Sequence, residues 1–392
     1  MRKSVRYIYL DCAASTPLDP KVERAMAPFW RKNFENPSAL YGGSVRARRA
    51  IDDARKRVAV ILNATSTEIT FVPGGTAGNN LAIMGIARAA GNGHIIISAI
   101  EHESVLEPVR QLEREGFGVT YIKPDRDGVI PIESLKKSLR PDTILVSVMY
   151  ANNEVGTIQP IREITKMIRD HRRRSPVAGH RLPYFHTDAC QAANYLDLNV
   201  QKLGVDLMTI NGSKIYGPKM SGCLYVRNGI SIRPIVTGGG QEKSLWSGTE
   251  NVSGIVGFAT ALAITEQKKE KEKARLTALR DYFIEKLLTE IPGTALNGHA
   301  IDRLPNNIHI SIHNIDGEAA VLYLDAAGIA CAIGSACTSH SVTPSHVLRA
   351  MGFSEKRSKS SLRLTMGRGT GKKDCGRVIQ ELTRIIPLIR NS

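Results

Sequence analysis

The chain has 392 residues, 42% hydrophobic and 23% charged, which suits one large core with a smaller satellite domain and an ordinary soluble enzyme. No apolar run approaches the 18 or so residues of a membrane span, and Asp11 interrupts the apolar stretch after Met1-Arg2-Lys3, so neither a spanning helix nor a signal peptide is expected. The six cysteines show no CxxC pair and no metal-ligand rhythm, which argues against a disulfide framework or a metal site and for a reducing cytoplasm; the net charge of +16 suits an acidic partner protein or an RNA backbone.

In chain order, the first clear strand is Ile69–Val72, followed by Gly74-Gly75-Thr76 and a helix over 77–90. Strand patterns recur at 95–98, 119–123, 143–149, 184–187, 206–210 and 223–226, with helical patterns between them, such as 107–115 and 161–174. Such alternation predicts an α/β domain with a mostly parallel sheet, whose strand-end loops carry the site. An amphipathic helix is predicted over 264–288, with Leu276, Leu279, Phe283 and Leu287 at helical spacing. Past Pro292-Gly293 the pattern changes to an alternating strand at 308–313, a helix from Gly317 and a second helix start after Pro344-Ser345. The expected division is a large domain over 16–262 and a smaller α+β domain made of 1–15 and 263–392. Basic patches lie at Arg172-Arg173-Arg174, at 268–273, at Lys356-Arg357 with Lys359, and at Lys372-Lys373. The second alternates Lys with Glu on a solvated helix face, and no aromatic stripe accompanies the others, so sequence-specific RNA reading is not indicated.

Cys337 sits in Gly334-Ser335-Ala336-Cys337-Thr338-Ser339, a run of small and hydroxylated residues of the kind found in surface loops. A reactive cysteine needs its thiolate, and a free thiol titrates near 8.5, so a neighbouring group must draw the proton away. Lys214 lies in the turn after the 206–210 strand, and Asp188 ends the 184–187 strand. A lysine that can condense with an aldehyde, with an aspartate that can keep a pyridine nitrogen protonated, is the protein's share of pyridoxal phosphate chemistry. Gly74-Gly75-Thr76 at a helix start would offer backbone N–H groups to the phosphate.

Taken together these pieces resemble the NifS/IscS-type cysteine desulfurases, a branch of the aspartate-aminotransferase-like (fold-type I) pyridoxal phosphate enzymes. The likeness runs through Tyr9-Leu10-Asp11, Asn36-Pro37-Ser38, Gly75-Thr76 with Asn79-Asn80, Glu101-His102, Asn152-Asn153-Glu154, Asp188-Ala189 with Gln191, and Lys214 to Lys219. Ser247-Gly248-Thr249, 334–339, 344–348 and Arg363 with Gly367-Arg368 complete it, so it covers essentially the whole chain. The resemblance implies that Lys214 holds pyridoxal 5'-phosphate and moves the substrate's α-proton, that Asp188 pairs with the ring nitrogen, and that Gln191 and Asn153 lie on the ring-oxygen side. It implies His102 over the ring face, Gly75, Thr76, Asn211 and Ser213 toward the phosphate, and Thr249 reaching the phosphate of the opposite subunit of a homodimer. Arg363 would clamp the carboxylate of L-cysteine, with Asn36 also on the substrate side. Cys337 would take the substrate's sulfur as a persulfide, leaving L-alanine, and pass it to a sulfur-acceptor or iron–sulfur scaffold protein or into tRNA thiolation.

Five positions depart from the family pattern. Ser213 stands where a histidine is usual, Trp246 replaces an arginine, Ala77 a glutamate, Cys12 an asparagine and Tyr41 a histidine. Two potential positive charges near the phosphate are thereby absent. The same fold also accommodates selenocysteine lyases, other pyridoxal phosphate enzymes and non-catalytic scaffold paralogues, which dependence on Cys337 and cofactor absorbance separate.

Overall fold

The computed structural model describes residues 7–174, 182–334 and 344–390. A short strand, β1 (Ile8–Tyr9), precedes the main sheet. That sheet is built from β2 (Ile69–Val72), β3 (His94–Ser98), β4 (Gly118–Ile122), β5 (Thr143–Ser147), β6 (Tyr184–Asp188), β7 (Leu207–Asn211) and β8 (Gly222–Val226) in the order β2-β8-β7-β6-β5-β3-β4. The pairs from β4 through β7 are parallel, and β8 runs antiparallel to both its neighbours.

Why these segments become interior strands is visible in β3. Ile95, Ile96 and Ile97 form a continuous apolar run, as expected of a strand covered on both faces. Ile96 packs in the core formed with helices Gly42–Leu62 and Val252–Glu290, whereas Ile95 and Ile97 pack on the opposite face with helices Gly75–Ala90 and Glu103–Arg114. The period of two along the strand thus separates two cores and gives a helix–sheet–helix sandwich.

Because β2, β3, β5, β6 and β7 share a direction, the loops that follow them emerge at one edge of the sheet. Those loops contain Gly74–Thr76, Glu101–His102, Met149–Asn153, Asp188–Gln191 and Asn211–Lys214. The carboxyl end of such a sheet is where ligands bind in open α/β folds.

A second sheet has the order β12-β10-β9, from β9 (Thr294–Leu296), β10 (Asn307–Ile312) and β12 (Ser361–Thr365), all antiparallel. Strand β11 (Ile329–Ala330) pairs in parallel with β1, and Asp11 bridges to Thr365, so the N-terminal residues are stitched to the C-terminal part. Helix Val252–Glu290 is 39 residues long and begins well before the expected 264. Its first third is buried almost all round by Val252, Ile255, Phe258, Ala259 and Leu262, which erases the amphipathic signature that the later turns retain through Leu276, Phe283 and Leu287.

The basic run at 172–174 also needs correction as a free patch. Arg172 donates to the Pro183 carbonyl and pairs with the buried Asp206, so this guanidinium is a structural tie rather than an open cation. Likewise Arg357 stacks over Phe353 at 3.9 Å and donates to Asn297, and Lys359 pairs with Glu355.

Candidate active site

The strand-end loops enclose a cavity of about 180 Å³ that brings together Gly75, Thr76, His102, Asn153, Asp188, Gln191, Asn211, Lys214 and Arg363, with Asn79, Ser104 and Met149 among its other walls. Next to it runs a wider groove of about 640 Å³ that shares Gly75, Thr76 and Asn211 and adds Ser213, Lys219, Met220 and Trp246. Thr249 lines neither; it lies with Phe71 and Trp246 on a third cavity, of about 380 Å³. Asn36 is exposed on its own loop, where its Oδ1 accepts the Ser38 N–H at 2.9 Å. Cys337 lies outside the described residues.

Each wall has a local cause. Gly74 caps helix Gly75–Ala90 with φ of 95°, a conformation only glycine adopts at little cost. A Cβ on Gly75 would stand 2.8 Å from Cys190 Sγ and 3.4 Å from Asn211, so the helix start lies tight against the β6 and β7 loops. The first N–H groups of that helix have no partner within it, and they front the cavity and the groove. Asn211 turns the chain after β7: its Oδ1 accepts from Ser213 N at 3.1 Å, forming the short 3-10 turn Gly212–Lys214 that presents Lys214. Lys214 Nζ donates to the Ala14 carbonyl, and Gln191 Nε2 donates to the Ala13 carbonyl at 2.9 Å, so the N-terminal segment closes one side.

Asp188 is buried at the end of β6. Its Oδ1 accepts the Cys190 N–H at 2.9 Å and its Oδ2 accepts from Asn79 Nδ2 at 2.7 Å. Arg363, almost fully buried, donates to Asp11 and to the Asn153 carbonyl. Glu101, directly before His102, is fully buried; burial first, and the charge of Asp188 in addition, raise its carboxyl to about 8. It accepts from Ser98 Oγ and from the Met149 N–H at 2.7 Å.

The sequence marks Asn79 and Glu101 only as parts of motifs, Asp11 as a motif residue and a break in an apolar stretch, and Ser104 not at all. Asn79, Ser104 and Asp11 turn out to hold Asp188, His102 and Arg363, while Glu101 accepts from Ser98 and Met149. No local pattern marks the Asn79–Asp188 and Asp11–Arg363 contacts, because the partners lie 109 and 352 positions apart in the chain.

The group best suited to this cavity is one with an anionic end and a protonated ring nitrogen. A tightly packed glycine cradle at a helix start, neutral donors at Thr76 and Ser213, a buried carboxylate already given two N–H donors, and a lysine across from it form such a donor set. The class-V aminotransferase model matches residues 8–378. The chain belongs to the class-V aminotransferase family. Pyridoxal 5'-phosphate is the cofactor of this family, and the residues present fit it.

Among curated relatives, "Cysteine desulfurase IscS" of Dictyoglomus turgidum is 44% identical over 387 residues, covering 98% of this chain and 96% of that protein. "Cysteine desulfurase IscS 1" of Archaeoglobus fulgidus is 41% identical over 385 residues, covering 98% of each. Among solved structures, a "NifS-like protein" superposes with a TM-score of 0.90 at 31% identity, covering 98% of this chain and 100% of that one. A NifS-like protein from Rickettsia africae gives 0.86 at 31% identity, with 97% and 100% covered. Class-V membership therefore extends over the whole length of the chain. Among the described residues no helix is long and apolar enough to cross a membrane, and no group of His, Cys, Asp and Glu could hold a metal ion.

Proposed function

We propose that this class-V enzyme is a cysteine desulfurase that converts L-cysteine to L-alanine and receives the sulfur on Cys337. The observation that carries the reading is the meeting of Lys214, Asp188, His102 and Arg363 in one cavity. A lysine amine, a ring-nitrogen partner, a proton-handling imidazole and a carboxylate clamp are what an α-amino acid reaction at this cofactor requires.

When bound, the cofactor supplies an electron sink for negative charge at the substrate's α-carbon. Lys214 would hold the cofactor through Nζ and would move the substrate's α-proton. Asp188 keeps the ring nitrogen protonated. Asn153 and Gln191 would lie toward the ring oxygen, and Gly75, Thr76, Asn211 and Ser213 would hold the phosphate through backbone N–H groups and neutral donors. Arg363 would offer two parallel N–H donors to the substrate carboxylate, with Asn36 on the substrate side, and His102 would lie over the ring. Cys337 attacks the substrate's sulfur: a new S–S bond forms, the Cβ–S bond breaks with its electron pair returning to carbon, and protonation there yields alanine.

The described cysteines support Cys337 as the nucleophile. Burial pushes the thiols of Cys12, Cys331 and Cys375 up to about 12, and those of Cys190 and Cys223 upward as well. None of the five provides a thiolate near neutral pH. Unpaired thiols also suit a cytoplasmic setting.

A homodimer is supported by the exposed Trp30, Phe34, Leu40 and Tyr41, which a second copy would cover, with Thr249 reaching that copy's phosphate. The division into residues 16–262 and residues 1–15 with 263–392 is supported by the separate second sheet and the β1–β11 pairing. A sulfur-acceptor or iron–sulfur scaffold protein is the favoured recipient, and tRNA contact would draw on the basic surface that remains outside the structural ion pairs.

The test is the absorption spectrum of purified protein, followed by L-cysteine under reducing conditions with sulfide and alanine assayed. A yellow protein releasing both in equal amounts supports the reading. A colourless protein that cannot be reconstituted, or a coloured one that yields no alanine, would overturn it.

A further inference from the structure

His102 is the N-cap of helix Glu103–Arg114, and that position constrains its ring: Nδ1 accepts the backbone N–H of Ser104 at 3.1 Å. An amide N–H can only donate, so Nδ1 is an acceptor and the neutral ring carries its proton on Nε2. Ser104 Oγ lies 2.8 Å from the same Nδ1. A hydroxyl can donate or accept, and its other neighbour decides which. That neighbour is Asn79 Nδ2, at 2.8 Å. The orientation of the Asn79 amide is decided in turn by Asp188, whose Oδ2 is 2.7 Å from Asn79 Nδ2, because a carboxylate only accepts. The directions of the side-chain bonds therefore follow from Asp188, and the Ser104 amide fixes its own. Asn79 donates to Asp188 and to Ser104, which leaves the Ser104 hydroxyl proton for His102 Nδ1. Asn79, Ser104 and Asp188 are all buried, so water does not compete with the chain.

We propose that Asn79 and Ser104 are positioning residues that lock His102 as a neutral hydrogen-bond donor, the Ser104 hydroxyl adding to its amide a second donor to Nδ1 that is oriented from the carboxylate of Asp188. The lock assigns different work to two groups that could both move protons. With two donors on Nδ1, His102 cannot take a second proton without giving up both bonds. His102 thus donates from Nε2, and the amine of Lys214 is the base. This division of labour rests on the proposed function; the tautomer itself rests on the hydrogen bonds alone.

The experiment is nitrogen-15 NMR of the histidine-labelled holoenzyme, with His102 assigned by the loss of its signals in His102→Asn. A protonated Nε2 and an unprotonated, hydrogen-bonded Nδ1 are expected at neutral pH. In Ser104→Ala the Nδ1 resonance should move toward that of an unbonded imine nitrogen. The same variant should lower kcat for alanine formation about tenfold, equivalent to about 1.4 kcal/mol, and leave KM within about twofold. A protonated Nδ1 in the wild type, or a Ser104→Ala enzyme with unchanged Nδ1 shift and kcat, would overturn the proposal. The wild-type spectrum alone tests the tautomer if the variant does not fold. Formation of sulfide and alanine with a protonated Nδ1 would sink the lock and spare the desulfurase reading; the expected tautomer without either product would do the reverse.

Discussion

Arg363 Nη2 donates to Asp11 Oδ1 across 2.8 Å, and Nη1 of the same guanidinium reaches the Asn153 carbonyl at 3.2 Å. Its side chain is 2% exposed, and among the described residues Nε has no hydrogen-bond partner. The guanidinium is thus oriented before any substrate arrives, by a residue 352 positions away in the chain. A planar donor held this way suits a carboxylate, which it can meet with two parallel N–H groups.

Replacing Arg363 with lysine should raise KM for L-cysteine at least about tenfold, because the two-pronged donor is lost while the charge is kept. Asp11→Ala should instead act on stability. It leaves a buried guanidinium without its carboxylate, a change that costs about 3–5 kcal/mol where pairs are fully buried, and somewhat less here because Asp11 is partly exposed. Steady-state kinetics and urea unfolding separate the two effects.

Glu101 predicts a pH dependence of stability. Its carboxyl is raised from the ordinary 4.5 to about 8, by burial first and then by the charge of Asp188. Between those values the folded chain binds a proton that the unfolded chain has released. Stability contributed by this group therefore falls as pH rises through that window. Glu101→Gln keeps an acceptor for Ser98 and Met149 without a titrating group. Thermal midpoints of wild type and variant should diverge as pH rises from 4.5 to about 8, with the variant the more stable at the upper end. Parallel curves would show that Glu101 does not titrate there.

Gly75→Ala tests the phosphate cradle. The added methyl would stand 2.8 Å from Cys190 Sγ, inside normal contact, and both neighbouring loops are packed. An overpacking cost of about 1–3 kcal/mol is expected, together with weaker retention of the cofactor. Calorimetry and the cofactor-to-protein absorbance ratio after gel filtration measure these separately. An unchanged ratio would mean that the helix start does not hold the phosphate.

The cysteines differ in their expected reactivity toward iodoacetamide. Cys12, Cys190, Cys223 and Cys375 are buried, Cys331 is partly so, and burial raises all five thiols. Brief alkylation at neutral pH should modify Cys337 first, as read by peptide mass mapping. Cys337→Ala should resist the reagent, keep its cofactor absorbance and release no sulfide. Persistent sulfide release from that variant would remove Cys337 from the reaction.

Much of this molecule was legible from local pattern. Interior strands such as Ile95-Ile96-Ile97 reveal themselves by apolar runs, and Lys214 and Asp188 by their position at strand ends. The start of helix Ile161–Arg174 is legible because one face is apolar, with Ile161, Ile164 and Ile168 buried. Helix Val252–Glu290 was read short, since its first turns are buried on every side and carry no period.

The α/β alternation, the glycine-rich helix start and the identities of the groups able to do chemistry are readable along the chain, because hydrophobic period, turn formation and reactivity are properties of a few neighbouring residues. How those groups are held emerges in the folded molecule. The strand order puts β5, β6 and β7 between β3 and the β2–β8 pair, so that residues from separate loops converge at one edge. There Asn79 meets Asp188 and Ser104, Arg363 meets Asp11, and Glu101 loses its water. Hydrogen-bond direction and desolvation depend on atoms brought within about 3 Å of each other, and that closeness is a property of the fold rather than of any stretch of chain.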